Sequence, residues 1–169
     1  MKYNKEKVNE ILPQKWPFNF IDECINVTLP NKVNSPHDIV GSSSECTYCV
    51  NKDNPIFQGH FPQKAILPGV IHAEIMAQSS FFIFYTLGEI FKQELENSNL
   101  KGREGVLLSL DNIKFKKPIF PEMKLHIKTT VEKIFQNIAI IKGEISHNGK
   151  VVSKGKFKIA IISLEKEYK

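Results

Sequence analysis

The 169-residue sequence contains no uninterrupted apolar stretch near the roughly 20 residues that a membrane-spanning helix needs. Its first residues, Met1-Lys-Tyr-Asn-Lys-Glu-Lys-Val8, are polar and lack the apolar segment of a secretory leader. Cysteine is scarce. Cys24, Cys46 and Cys49 form an odd set that cannot make a disulfide framework and that points to a reducing, cytoplasmic setting. There is no glycine-rich phosphate loop, no Gly-x-Ser-x-Gly nucleophile turn and no nucleic-acid signature. Cys46 and Cys49 have redox spacing, but they fall on an expected strand where they face opposite sides, outside any thioredoxin-like context. With His37, His126 and His147 scattered along the chain, no four-ligand zinc set forms, and no metal is expected.

What remains is globular in character. The chain is 41% hydrophobic and 24% charged, which excludes a disordered polar chain. The net charge of +5 is carried by lysines spread along the chain, so it describes a solvated surface and not a nucleic-acid stripe. An acidic protein partner or an anionic substrate is compatible with it.

Residues 1–12 read as a short helix with Val8, Ile11 and Leu12 on its apolar face. Strands are expected over 18–28 and 45–51, with a loop over 29–44 that holds Pro30, Pro36 and Gly41. The segment Val70 to Leu87 differs in kind. Twelve of its 18 residues are apolar and occupy every side of a helical projection, which is the pattern of a buried helix. Pro68 lies where a first-turn proline is tolerated. The polar stretch 94–105 reads as loop, and strands follow over 105–110, 123–132, 138–146 and 151–162. Met123, Leu125, Ile127, Thr129 and Val131 alternate with polar residues, so that strand has one wet face. Asn148-Gly149 is a two-residue hairpin signal. No internal repeat or linker is visible. The expectation is one α+β domain over 1–169, an antiparallel sheet wrapped around one long buried helix.

Three groups within 15 residues of one another could do chemistry. His60 lies in the turn-rich segment Gly59-His-Phe-Pro62. Glu74 lies inside the apolar helix, where carboxylates are rare and need a partner, and Gln78 is one turn on at i+4. Gly69, with Val70 beside it, places backbone N–H groups at the helix N-terminus, where the dipole favours developing negative charge. A base, a carboxyl and an oxyanion site are the parts of a proton-transfer catalyst.

The segment Phe57-Gln-Gly-His-Phe-Pro-Gln-Lys-Ala-Ile-Leu-Pro-Gly-Val-Ile-His-Ala-Glu-Ile-Met-Ala-Gln78 closely resembles the signature of bacterial β-hydroxyacyl-acyl carrier protein dehydratases of the FabZ type. Ile11-Leu-Pro-Gln-Lys-Trp-Pro-Phe18, Ile21-Asp22, Asp111-Asn-Ile-Lys-Phe-Lys-Lys-Pro-Ile-Phe-Pro121 and Asn148-Gly-Lys-Val-Val152 resemble the same family, so the likeness spans most of 11–162. It implies the hotdog fold and a hydro-lyase that converts a β-hydroxyacyl thioester on acyl carrier protein to the trans-2-enoyl thioester in fatty acid or related acyl-chain synthesis. By the same resemblance His60 is the base, Glu74 its acidic partner, Gly69 the carbonyl donor, and no cofactor is needed beyond the carrier's phosphopantetheine. It further implies a homodimer, possible assembly into a hexamer, and a site where His60 of one chain meets Glu74 of the other. Lys114, Lys116 and Lys117 match a basic segment that would dock the acidic carrier. Phe81 and Phe82 are expected either to line an acyl tunnel or to be plain core.

The sequence departs from the family at three places. Gln14 stands where a histidine is usual, His72 stands where an aliphatic residue is usual, and the stretch 28–45 is longer than expected between the first two strands, where it would reshape a neighbour contact or the tunnel mouth. His72 lies about 200° round the helix from Glu74 and is expected to be a hydrogen-bonded core or interface histidine. Two other readings accompany the dehydratase: a hotdog thioesterase, which would release free thiol, and a non-catalytic carrier-binding subunit, which would bind without turnover.

Overall fold

The computed structural model describes residues 1–31, 36–90 and 103–163. Helix α1 (Lys5–Ile11) is followed by β1 (Glu23–Thr28), a 3₁₀ turn (Pro36–Ile39), β2 (Ser43–Cys49), the one-turn α2 (Ile56–Gly59) and the long α3 (Gly69–Ile90). Strands β3 (Arg103–Phe115), β4 (Lys124–Phe135), β5 (Ile138–His147) and β6 (Lys150–Ser163) complete the chain. The six strands form one sheet in the order β1-β2-β4-β5-β6-β3, with every pairing antiparallel. Helix α3 packs against this sheet, as the expected α+β layout requires.

The apolar composition of α3 explains the wrap. Ile71, Ala73, Ile75, Met76, Phe82 and Ile83 are all buried, and each large side chain among them contributes roughly 1.5–3 kcal/mol when removed from water. Although no uninterrupted apolar run reaches the length of a membrane span, the helix as a whole has a mean hydropathy of 1.2 over an 18-residue window and is long and apolar enough to cross a bilayer. In this fold 61% of that window is buried, as in the core helix of a folded domain. Closest approach occurs at Gly143 on β5, where a Cβ would lie 2.5 Å from the Met76 sulfur, so only glycine admits the helix there. Polar groups at the same interface pair among themselves: the Ser44 hydroxyl donates to the Ser79 carbonyl at 2.7 Å and lies 2.6 Å from the Thr129 hydroxyl.

Strand β4 follows its sequence pattern, with Leu125, Ile127, Thr129 and Val131 buried and Lys124 and Lys128 exposed. The β5–β6 hairpin turns at Asn148 and Gly149, whose φ values of 49° and 72° are the pair a type I′ turn demands. Three expectations need correction. The first strand begins at Glu23, not at 18, because the backbone of 18–20 bonds to a helix side chain and not to a neighbouring strand. The loop before His60 contains α2, started by the Asn54 side chain, which accepts from the Ile56 N–H at 3.0 Å. Strand β3 runs to Phe115, well past Leu110, because bulges at Leu107/Ser109 and Asp111/Lys114 break its alternation without ending it. The loop expected over 94–105 falls largely outside the described residues, as do 32–35 within the loop expected over 29–44.

For His72 the expected core placement holds, but the expected hydrogen bonding does not. It is a core residue, 2% exposed, with its ring edge-on to Phe115 at 5.3 Å between centroids. Neither ring nitrogen has a hydrogen-bond partner. Burial pushes its pKa down to about 4, and the nearby Leu67 backbone opposes this only in part. The unfolded chain therefore binds a proton that the folded chain refuses. The stability owed to neutral His72 is complete above its ordinary value of 6.5 and is lost as pH falls toward 4. Urea unfolding at pH 7 and at about pH 4.5 is expected to show His72→Leu losing about 2 kcal/mol less between the two than the native chain. An identical loss in both proteins would exclude His72 as the cause.

Candidate active site

His60 is fixed at both its backbone and its ring. Its N–H closes α2 on the Ile56 carbonyl at 3.2 Å, and its carbonyl accepts from the Ile66 N–H at 3.0 Å. Nδ1 lies 2.8 Å from the Ile66 carbonyl oxygen. A carbonyl only accepts, so Nδ1 carries the proton and the lone pair sits on Nε2. Nε2 forms no hydrogen bond or ion pair among the described residues. The Phe61 ring stacks on the imidazole at 4.0 Å and limits its rotation. Phe61 and Lys64 exchange backbone hydrogen bonds, which closes the loop between His60 and Ile66.

Glu74 sits half-buried on α3. Its Oε1 accepts from Gln78 Nε2 at 2.8 Å, the i+4 contact expected from the sequence. Gln78 is itself clamped: Nε2 also donates to the Phe18 carbonyl, and Oε1 accepts from the Phe20 N–H, both at 2.8 Å. The segment 14–20 thus straps across the helix. A second amide, Gln14 Nε2, reaches the same Glu74 oxygen at 3.5 Å from 60 residues away in sequence. Sequence reasoning gives Gln14 no role, and its only signal is that it stands in place of a histidine. Glu74 Oε2 has no partner among the described residues.

Gly69 opens α3, and the Phe115 ring lies 3.2 Å from where its Cβ would be. The N–H groups of Gly69 and Val70 have no partner among the described residues, as first-turn amides do not. The Val70 side chain is 69% exposed beside them. Phe82 is fully buried against Tyr3 and belongs to the core, while Phe81 is only partly buried. Lys114, Lys116 and Lys117 are exposed at the end of β3, and both of the latter donate backbone N–H bonds to the Val152 carbonyl. Cys46 is sealed and Cys49 exposed, on opposite faces of β2 as expected. No group of three or more His, Cys, Asp or Glu is placed to hold a metal among the described residues.

The fold therefore brings Gln14, Gln78 and Glu74 together, and separately poises His60 and the Gly69 N–H. Within one chain His60 and Glu74 form no hydrogen bond or ion pair with each other.

Comparison with known proteins bears on what such parts do. Residues 37–156 match the ApeI-like family, described as ApeI dehydratase. A 3-hydroxyacyl-[acyl-carrier-protein] dehydratase FabZ of Wolinella succinogenes is 30% identical over 166 residues, covering 98% of this chain and 100% of the relative. In fold, the chain is similar to a solved dehydratase heterocomplex ApeI:P from Xenorhabdus doucetiae, with a TM-score of 0.66, 21% identity, and 94% and 92% of the two chains covered. It is also similar to the fluoroacetyl-CoA thioesterase FlK, with a TM-score of 0.57, 10% identity, and 75% and 90% covered. These neighbours place the chain in the hotdog fold.

Gln78 makes three hydrogen bonds from a fully buried position, so its loss orphans the Phe20 N–H and the Phe18 carbonyl together. Gln78→Leu is expected to destabilise the chain by about 2–4 kcal/mol in urea unfolding. A change near zero would show that water replaces the clamp.

Proposed function

The chain belongs to the ApeI-like dehydratase family, and from that premise we propose that it removes water from a 3-hydroxyacyl thioester carried on acyl carrier protein, with His60 as base and Glu74 as acid. It is a hydro-lyase acting in acyl-chain biosynthesis. The observation that carries the residue assignment is that both side chains are half-occupied. His60 is held through Nδ1 and Glu74 through Oε1, which leaves Nε2 and Oε2 without partners.

Two proton transfers and one C–O cleavage remove water with no net change of oxidation state, so the chemistry requires no redox group. The thioester carbonyl accepts from the Gly69 N–H at the positive end of α3, with the Val70 N–H beside it, and this acidifies the α-carbon. His60 Nε2 takes the α-proton. The C–H electron pair becomes the new double bond, the C–O bond at the β-carbon breaks, and Glu74 Oε2 protonates the departing oxygen to give water. Proton transfer from the imidazolium to the carboxylate, through solvent, restores both groups.

As the family resemblance implies, we assign each centre to two protomers, His60 of one facing the partner's Glu74; within one chain the two form no hydrogen bond or ion pair. The docking edge is β3, which ends the sheet and exposes Leu107, Leu108, Leu110 and Phe115. A row of apolar side chains along an unpaired strand edge invites another strand. The single domain over 1–169 acts in the cytoplasm in this reading. Lys114, Lys116 and Lys117 receive the acidic carrier, and its phosphopantetheine carries the acyl chain inward.

His60→Ala and Glu74→Ala are each expected to lower turnover of a carrier-linked substrate by at least about 100-fold, followed through the absorbance of the conjugated enoyl group. Full turnover in either variant removes that residue from the mechanism. Release of free thiol by the native protein would instead establish the hydrolase reading. Reversing the charge of Lys114, Lys116 and Lys117 together is expected to raise KM for the carrier-linked substrate about tenfold and leave small thioester analogues unaffected. Equal losses with both substrates would count against docking there.

A further inference from the structure

Two glutamines converge on one oxygen of Glu74. Gln78, on the same helix, donates to Oε1 at 2.8 Å, and Gln14, from the strap, donates to it at 3.5 Å. The position of Gln14 is anchored. The next residue, Lys15, ties its ammonium to the Leu12 carbonyl at 2.8 Å and to the Glu10 carbonyl at 3.2 Å, so the strap is held to the end of α1. On the other side of Gln14, the Phe18 carbonyl and the Phe20 N–H are held by Gln78.

We propose that Gln14 is a positioning residue that makes the two oxygens of Glu74 unequal. The inference rests on the reading of Glu74 as the acid and specifies which oxygen acts. A carboxyl oxygen has two lone pairs, and on Oε1 both are directed to amide N–H groups. A proton on the carboxyl therefore resides on Oε2, the oxygen without a partner, and it is Oε2 that meets the leaving hydroxyl. Two donors on one oxygen also oppose rotation of the carboxyl about its terminal bond, which would otherwise exchange the two atoms. The Gln14 contact is the longer of the pair, as catalytic hydrogen bonds often are before a site is filled. An amide neither gains nor loses a proton in the working range, so this donor persists at every pH at which the enzyme is folded, whereas the histidine usual at this place titrates near neutrality.

The test compares the native chain with Gln14→Leu, Gln14→His and Glu74→Gln, measuring kcat and KM with carrier-linked substrate and the thermal midpoint of each. Gln14→Leu keeps the volume and removes the donor. It is expected to lower kcat about tenfold with KM within about twofold of the native value, the signature of an interaction that matters in the transition state. Its thermal midpoint stays within about 2 °C, since the strap remains clamped by Gln78. Gln14→His restores an N–H donor and is expected to recover most of the lost kcat. Native kcat in Gln14→Leu, or no recovery in Gln14→His, overturns the inference. The Glu74→Gln arm separates the two levels. If it is inactive while Gln14→Leu is native-like, only the positioning role fails; if Glu74→Gln itself is fully active, the acid assignment fails first.

Discussion

A helix without a polar face must be covered on all sides, and this constraint organises the protein. One antiparallel sheet meets most of the demand and the strap of residues 14–20 adds to it beside Gln78, while Val70 and Ile90 at the helix ends stay exposed. Most polar residues buried on the helix are committed to partners inside the wrap, Ser79 to Ser44, Thr86 to Tyr3 and Gln78 to the strap, with His72 the exception. Glu74 escapes complete burial because it lies at the border of that cover. Its position is a consequence of where the wrapping ends.

The parts of the fold legible in the sequence were those set by local periodicity. The all-round apolar segment gave α3, strict alternation gave β4, and Asn148-Gly149 gave the turn between β5 and β6. What was missed depends on contacts far apart in the chain. Residues 18–22 alternate like a strand, yet Phe18 and Phe20 spend their backbone groups on Gln78, 58 to 60 residues away. Bulges in β3 hid its full length, since an extra residue shifts the alternation to the other face. A similar limit applies to the candidate site. His60, Gly69, Glu74 and Gln78 lie within one contiguous stretch whose residue types announce proton chemistry. Gln14 does not, because an amide in a Pro-rich segment carries no chemical signal until its neighbour is known.

His60 and Glu74 share a design in which one atom of each side chain is tied and the other left open. The tie supplies orientation, and the open atom supplies reactivity. Fixing His60 through a backbone carbonyl and Glu74 through neutral amides avoids placing an additional charge beside either. His72, one turn into the same helix, shows the opposite arrangement. Both of its nitrogens are sealed away, so it adds sensitivity to acid and no reactive atom.

Leaving β3 as an apolar margin of the described sheet has a cost for a single chain. On its own the chain presents an apolar ribbon on which unrelated strands could nucleate, and under the proposed pairing a variant that weakened it would precipitate before it yielded a well-behaved monomer.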